Sequence, residues 1–102
     1  MSSDTPSPPN LLFVCVDCLR SDAVVDGWGE TPFLDSLRAD GRVYTDLFAT
    51  ATTTTPCVAG LLTGLYSERN GVASLREARL SPDATTLAER LGEAGYDTCA
   101  MV

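Results

Sequence analysis

A chain of 102 residues supports at most one small domain, whose core is a modest share of its surface. Its basic complement is seven arginines, without lysine or histidine, set against 14 aspartates and glutamates for a formal charge of −7. That balance lacks the cations that would neutralise nucleic-acid phosphates or an anionic bilayer, and it excludes both as partners while suiting a salt-rich, halophile-like cytosol.

Residues 1–9 are rich in serine and proline, and Pro6, Pro8 and Pro9 exclude regular structure, so this stretch reads as a flexible leader. It carries no positive region of the kind that opens a signal peptide, and the apolar run that follows is too short to span a membrane. A cytoplasmic protein is expected.

Leu11 to Val16 is a continuous apolar run ending in Asp17, the pattern of a parallel strand buried on both faces that delivers a polar residue at its carboxyl end. In open α/β sheets ligands bind at that edge. Cys15 and Cys18 have C-x-x-C spacing, but there is no second pair and no histidine to complete a zinc set, and all four cysteines read as free thiols.

Asp26 to Gly29 reads as a loop. Thr31 and Pro32 mark a helix start, Phe33, Leu34, Leu37 and Ala39 form its core face, and Gly41 ends it. Residues 42–48 alternate in a way compatible with a short strand.

From Ala49 to Thr55 the chain is small and hydroxylic, and Pro56 with Cys57, Val58, Ala59, Leu61 and Leu62 predicts a helix starting at or just after Thr55 and closed by Gly64. Asn70-Gly71 signals a turn, with loop following to Pro82. Thr86 and Glu89 fit a capping box, Leu87, Ala88, Leu91 and Ala94 have helical spacing, and Gly95 is a stop. Residues 96–102 read as another core strand. Strand, helix and strand in this order predict a three-layer α/β/α architecture with a mainly parallel sheet and right-handed crossovers. A sheet of that kind needs both faces covered, so residues 10–102 are expected to be the N-terminal portion of a larger domain.

The run Pro9-Asn10-Leu11-Leu12-Phe13-Val14-Cys15-Val16-Asp17-Cys18-Leu19-Arg20-Ser21-Asp22 resembles the first strand and metal-binding turn of sulfatases, in the alkaline phosphatase-like superfamily. Thr31 to Leu37, Leu61-Leu62-Thr63-Gly64-Leu65-Tyr66 and Thr85 to Tyr96 are similar to later stretches of that family in the same order. The resemblance covers nearly the whole chain from Pro9 onward. It implies an alkaline phosphatase-like fold, hydrolysis of small sulfate or phosphate esters, and a divalent metal ion with Asp17 as its first carboxylate ligand. Calcium is the first expectation, with magnesium and zinc also compatible with an oxygen donor. Taken alone, Asp17 would merely solvate a strand end.

Many sulfatases carry a second aspartate directly after the first; Cys18 stands there in this chain. Their Cys-x-Pro-x-Arg motif, whose cysteine becomes formylglycine, aligns on Pro56 and Leu61 to Gly64 so that Thr54 takes the cysteine position and Val58 the arginine position. Cys57 is followed by Val58, Ala59 and Gly60 and has no such motif around it, so the formylglycine route is closed. Thr54-x-Pro56 is instead similar to the threonine nucleophile of nucleotide pyrophosphatases and phosphodiesterases, which also contacts the metal. The resemblance therefore makes Thr54 the catalytic residue and, with Asp17, a metal ligand. Without it, the threonine run would be a capping or β-prone stretch, with Thr52, Thr53 and Thr55 as rivals.

The family's remaining metal ligands and ester-binding histidines or lysines arrive late in the chain, so this portion alone is expected to be inactive and to depend on a C-terminal part of the same domain. The alternatives are a degenerate, non-catalytic α/β domain and a phosphatase or phosphodiesterase with a threonine nucleophile. Arg20 and Asp22 are expected to pair with neighbours at the surface.

Overall fold

The computed structural model describes residues 6–74 and 79–102 and divides into two compact units, Met1–Val43 and Tyr44–Val102. Its elements are α1 (Ser21–Val25), α2 (Pro32–Asp40), α3 (Thr54–Thr63), α4 (Ser67–Asn70) and α5 (Leu87–Glu93).

Among the described residues there is no strand. The expected strands at residues 11–16, 42–48 and 96–102 are irregular and mostly exposed, with Leu12 at 89% of its full accessibility. The reason is physical: a strand exists only through the backbone hydrogen bonds of its neighbours, and no described segment pairs with these runs. The parallel sheet expected from the sequence is therefore not formed among these residues. Residues 75–78, inside the loop expected to reach Pro82, lie outside the described residues.

In the first unit, α1 buries Ala23, and the N–H of Gly29 returns to the Ala23 carbonyl at 3.0 Å. A Cβ on Gly29 would lie 2.9 Å from that oxygen, so only glycine fits the closure. Pro32 opens α2 at its first position, where its missing N–H costs nothing. Arg38 ties α2 to α1 by donating from Nη1 to the Val24 carbonyl at 2.8 Å. The expected core face of α2 is corrected here: Phe33, Leu37 and Ala39 are exposed, Leu34 is half-buried, and no residue of α2 is buried.

In the second unit α3 packs against α4 and α5. Pro56 and Ala59 are its buried residues, and Gly60 lies against the Thr50 side chain so closely that a Cβ there would sit 2.8 Å from Oγ1. Gly64 ends α3 in the left-handed region at φ 68°, its N–H donating to the Gly60 carbonyl at 2.8 Å. The Thr63 hydroxyl donates back to the Ala59 carbonyl at 2.6 Å and accepts from the Leu65 N–H at 3.3 Å.

Asn70 is the hub of this unit and is completely buried. Its Nδ2 donates to the Leu65 carbonyl and its Oδ1 accepts from the Val72 N–H, both at 2.8 Å. Turning the amide over would set NH₂ against N–H and oxygen against oxygen, so the partners fix its orientation. The Asn70 backbone carbonyl also accepts from the Ser81 N–H at 2.8 Å. The Asn70-Gly71 turn is thus the end of α4, with Gly71 at φ 84° as its left-handed cap.

The capping box at α5 is present: the Glu89 N–H donates to Thr86 Oγ1 at 3.2 Å, and the Thr86 N–H and hydroxyl both donate to Glu89 Oε2 at 2.7 Å. The Thr86 backbone and side-chain donors hold the Glu89 carboxyl below its ordinary range. Thr86→Ala is expected to cost about 1 kcal/mol in chemical denaturation at neutral pH. Because the Glu89 pKa is depressed by folding, its contribution is present above the unfolded carboxyl value and fades as pH falls through the folded one. The gap between parent and variant should therefore narrow on acidification; a gap unchanged by pH would contradict the capping box.

Candidate functional site

Thr54 is the first residue of α3, one position earlier than the sequence suggested, and Thr53 is its N-cap in an extended conformation. The Thr53 side chain makes no capping hydrogen bond, so the helix end is not closed by its own cap residue. Pro56 occupies the first turn, where a missing N–H is tolerated, and its burial fixes the start of the helix. Thr54 is exposed at this end, the positive pole of the helix dipole.

Of the rivals, Thr52 and Thr53 are exposed and precede the helix, while Thr55 is half-buried inside its first turn. Cys57 is partly buried, and its thiol donates to the Ala51 carbonyl at 3.0 Å, which points Sγ back along its own segment. That contact bridges the threonine run and the helix.

Asp17 lies in the first unit, exposed in a turn with Cys18. Cys18 has φ 56°, in the left-handed region where Asp and Asn are several-fold enriched among non-glycine residues. The aspartate that many sulfatases place at this position would suit that conformation better than cysteine does. The positive φ gives no signal in the sequence itself, because cysteine is not a residue that announces a turn. Cys15, Cys18, Cys57 and Cys99 are free thiols as expected, although Cys15 is exposed and not packed in a core.

Arg20 and Asp22 pair at the surface, Nη2 to Oδ2 at 2.6 Å and Nε to Oδ1 at 2.9 Å. The guanidinium lowers the Asp22 pKa, and the carboxylate in turn raises that of Arg20. This two-pronged pair brackets the start of α1, just after the Asp17 turn, and occupies both side chains as expected.

Among the described residues no three His, Cys, Asp or Glu side chains gather as a metal's donor set. Asp17 and Thr54 alone fall short of the six to eight oxygens that calcium takes. The described residues therefore do not fit a complete ion site. An open groove of about 520 Å³ in the second unit runs past the end of α3 and the start of α5, lined by Leu61, Leu65, Arg69, Asp83, Thr86 and Arg90 among others. Thr54 is not among the residues that line it. No helix of the described residues is long and apolar enough to cross a membrane.

The sequence model of the Sulfatase family matches residues 9–102. Arylsulfatase G of Rattus norvegicus is 36% identical over 110 aligned residues, covering 100% of this chain and 21% of the relative. N-acetylgalactosamine-6-O-sulfatase of Bacteroides thetaiotaomicron is 36% identical over 97, covering 88% of this chain and 19% of the relative. Arylsulfatase A of Bos taurus is 35% identical over 107, covering 90% and 20% respectively. No solved structure matches. The chain spans about a fifth of the length of these curated relatives. With the family match running from Pro9 to Val102, through both the Asp17 turn and the Thr54 helix, the chain belongs to the sulfatase family, within the alkaline phosphatase-like superfamily.

Proposed function

We propose that this chain is the nucleophile-bearing, N-terminal portion of a hydrolase of small sulfate or phosphate esters, with Thr54 as nucleophile and Asp17 as a carboxylate ligand of a divalent metal. The observation that carries the reading is the placement of Thr54, exposed at the first position of α3 and indexed by the buried Pro56. An oxygen at that position meets an incoming anion at the positive end of a helix, where backbone N–H groups favour negative charge. Attack by Thr54 Oγ1 on sulfur or phosphorus would form the covalent ester and release the substrate's alkoxide or phenoxide.

Sulfatases generally use a divalent metal ion. Its identity on this chain, with calcium ahead of magnesium and zinc, is part of the proposal and rests on the oxygen donors Asp17 and Thr54. The remaining ligands, and the base that takes the Thr54 proton, belong in this reading to the part of the family's length that the chain does not span. The three-layer α/β/α sheet belongs to the same reading, with the apolar run before Asp17 as one of its strands, residues 1–9 as a leader and residues 10–102 as one portion of the domain. The lysine-free, acidic composition supports a salt-rich cytosol as its location.

The chain by itself is expected to hydrolyse neither aryl sulfates nor aryl phosphates, because a hydroxyl without a completed metal shell or an adjacent base is a poor nucleophile. Chromogenic assays with calcium, magnesium or zinc added test this. Turnover that disappears in Asp17→Ala would show that the chain alone completes the site.

A further inference from the structure

Asn70 is followed by Gly71, the pair in which an asparagine amide is most open to attack by the next backbone nitrogen. Glycine has no side chain to shield that nitrogen, and its backbone reaches the ring-closing conformation freely. In the reaction the Gly71 nitrogen bonds to Asn70 Cγ, the Cγ–Nδ2 bond breaks, and Nδ2 leaves as ammonia with the proton lost from the Gly71 nitrogen. Water then opens the succinimide to aspartate or isoaspartate.

The fold blocks each requirement of this step. The Gly71 N–H is held by the Ser67 carbonyl at 2.9 Å, so the nucleophile is engaged as the cap of α4. Both ends of the Asn70 amide are pinned, Nδ2 to the Leu65 carbonyl and Oδ1 to the Val72 N–H, which prevents Cγ from swinging onto the nitrogen. Asn70 has no accessible surface, and Val72 beside it is 2% exposed, so neither base nor water reaches the amide. Ser81 closes the remaining side by donating its N–H to the Asn70 carbonyl, and its backbone nitrogen is 3.3 Å from where a Gly71 Cβ would stand.

We propose that Asn70-Gly71 is a latent deamidation site sealed by the second unit, reacting only from molecules in which the clasp between Leu65 and Ser81 has opened. The product cannot reclose the clasp at neutral pH: a carboxylate has no hydrogen to offer the Leu65 carbonyl, and burying it unpaired is strongly unfavourable. Opening is thereby converted into an irreversible loss of the unit, and the residue records how long the protein has spent open.

The test is peptide mass spectrometry of the intact chain after incubation in mildly alkaline buffer, with and without denaturing urea, following conversion of amide to carboxyl at position 70. Asn10, exposed and followed by the bulky Leu11, serves as an internal reference for unsealed asparagine. Conversion at Asn70 should be at least about tenfold slower without urea, as for any group that reacts only from an opened state. In Ser81→Pro, which removes the N–H that closes the clasp on the Asn70 carbonyl and leaves the reacting residues 70–72 unchanged in identity, the rate without urea should rise several-fold while the rate in urea stays the same. Equal rates with and without urea would overturn the proposal, as would protection that Ser81→Pro leaves unchanged.

Discussion

In a protein where this chain is continued by the remainder typical of its relatives, Thr54→Ala is expected to lower ester hydrolysis at least about a thousandfold, the scale seen when a covalent nucleophile is removed. Cys57→Ser should retain most activity. The serine hydroxyl can donate to the Ala51 carbonyl as the thiol does at 3.0 Å, so the bridge between the threonine run and α3 survives. The two variants separate the readings cleanly, because a cysteine-derived nucleophile would reverse the pattern. Measurement of kcat and KM with an aryl sulfate and an aryl phosphate, and trapping of the covalent ester at Thr54, would check it. Loss of activity in the cysteine variant alone would sink the assignment.

The second large effect is on stability. Asn70→Ala removes both partners of the Leu65 carbonyl and the Val72 N–H inside the buried part of the unit and leaves a void where the amide was. With unpaired buried groups costing about 1–3 kcal/mol each, a loss of roughly 3 kcal/mol or more is expected, a large part of what a domain of this size has. Asn70→Asp should behave differently with pH. Burial raises the pKa of the introduced carboxyl above its unfolded value, so the variant is most stable below that value, where the protonated acid can still donate to Leu65. Its stability should fall as pH rises through the folded pKa. Urea titrations across the acid range test both variants, and an alanine variant within about 0.5 kcal/mol of the parent would show that the clasp is not a main support.

What the sequence makes legible here is what is local. The Thr86–Glu89 box, the proline at the start of α2 and the glycine at the end of α3 each depend on residues within a turn or so of one another, and each is where the pattern puts it. The Arg20–Asp22 pair is local too. The short helices α1 and α4, of five and four residues, escape because neither is long enough for a hydrophobic period to show. Strands are the opposite case: the run from Leu11 to Val16 has the composition of a buried strand, yet its conformation is decided by partners far away in sequence. Asn70 lies between. Its glycine neighbour announces a turn, but its burial depends on Leu65, Val72 and Ser81, and no spacing rule brings the last of these to it. At the candidate site the Thr54-x-Pro56 spacing locates the helix start to within one residue, whereas the donors that would complete a metal shell around Asp17 are not legible in this stretch.

The meeting of Thr50 with Gly60 has a bearing on how the proposed site could change over time. It braces the threonine run against the middle of the helix that Thr54 opens, so in the role proposed for Thr54 the aim of its hydroxyl would be set inside one continuous stretch, from Thr50 to Gly64. A side chain at position 60 would force the Thr50 hydroxyl aside and disturb that calibration. Under that proposal, the stretch that points the Thr54 hydroxyl would keep its own internal gauge whatever surfaces surround it.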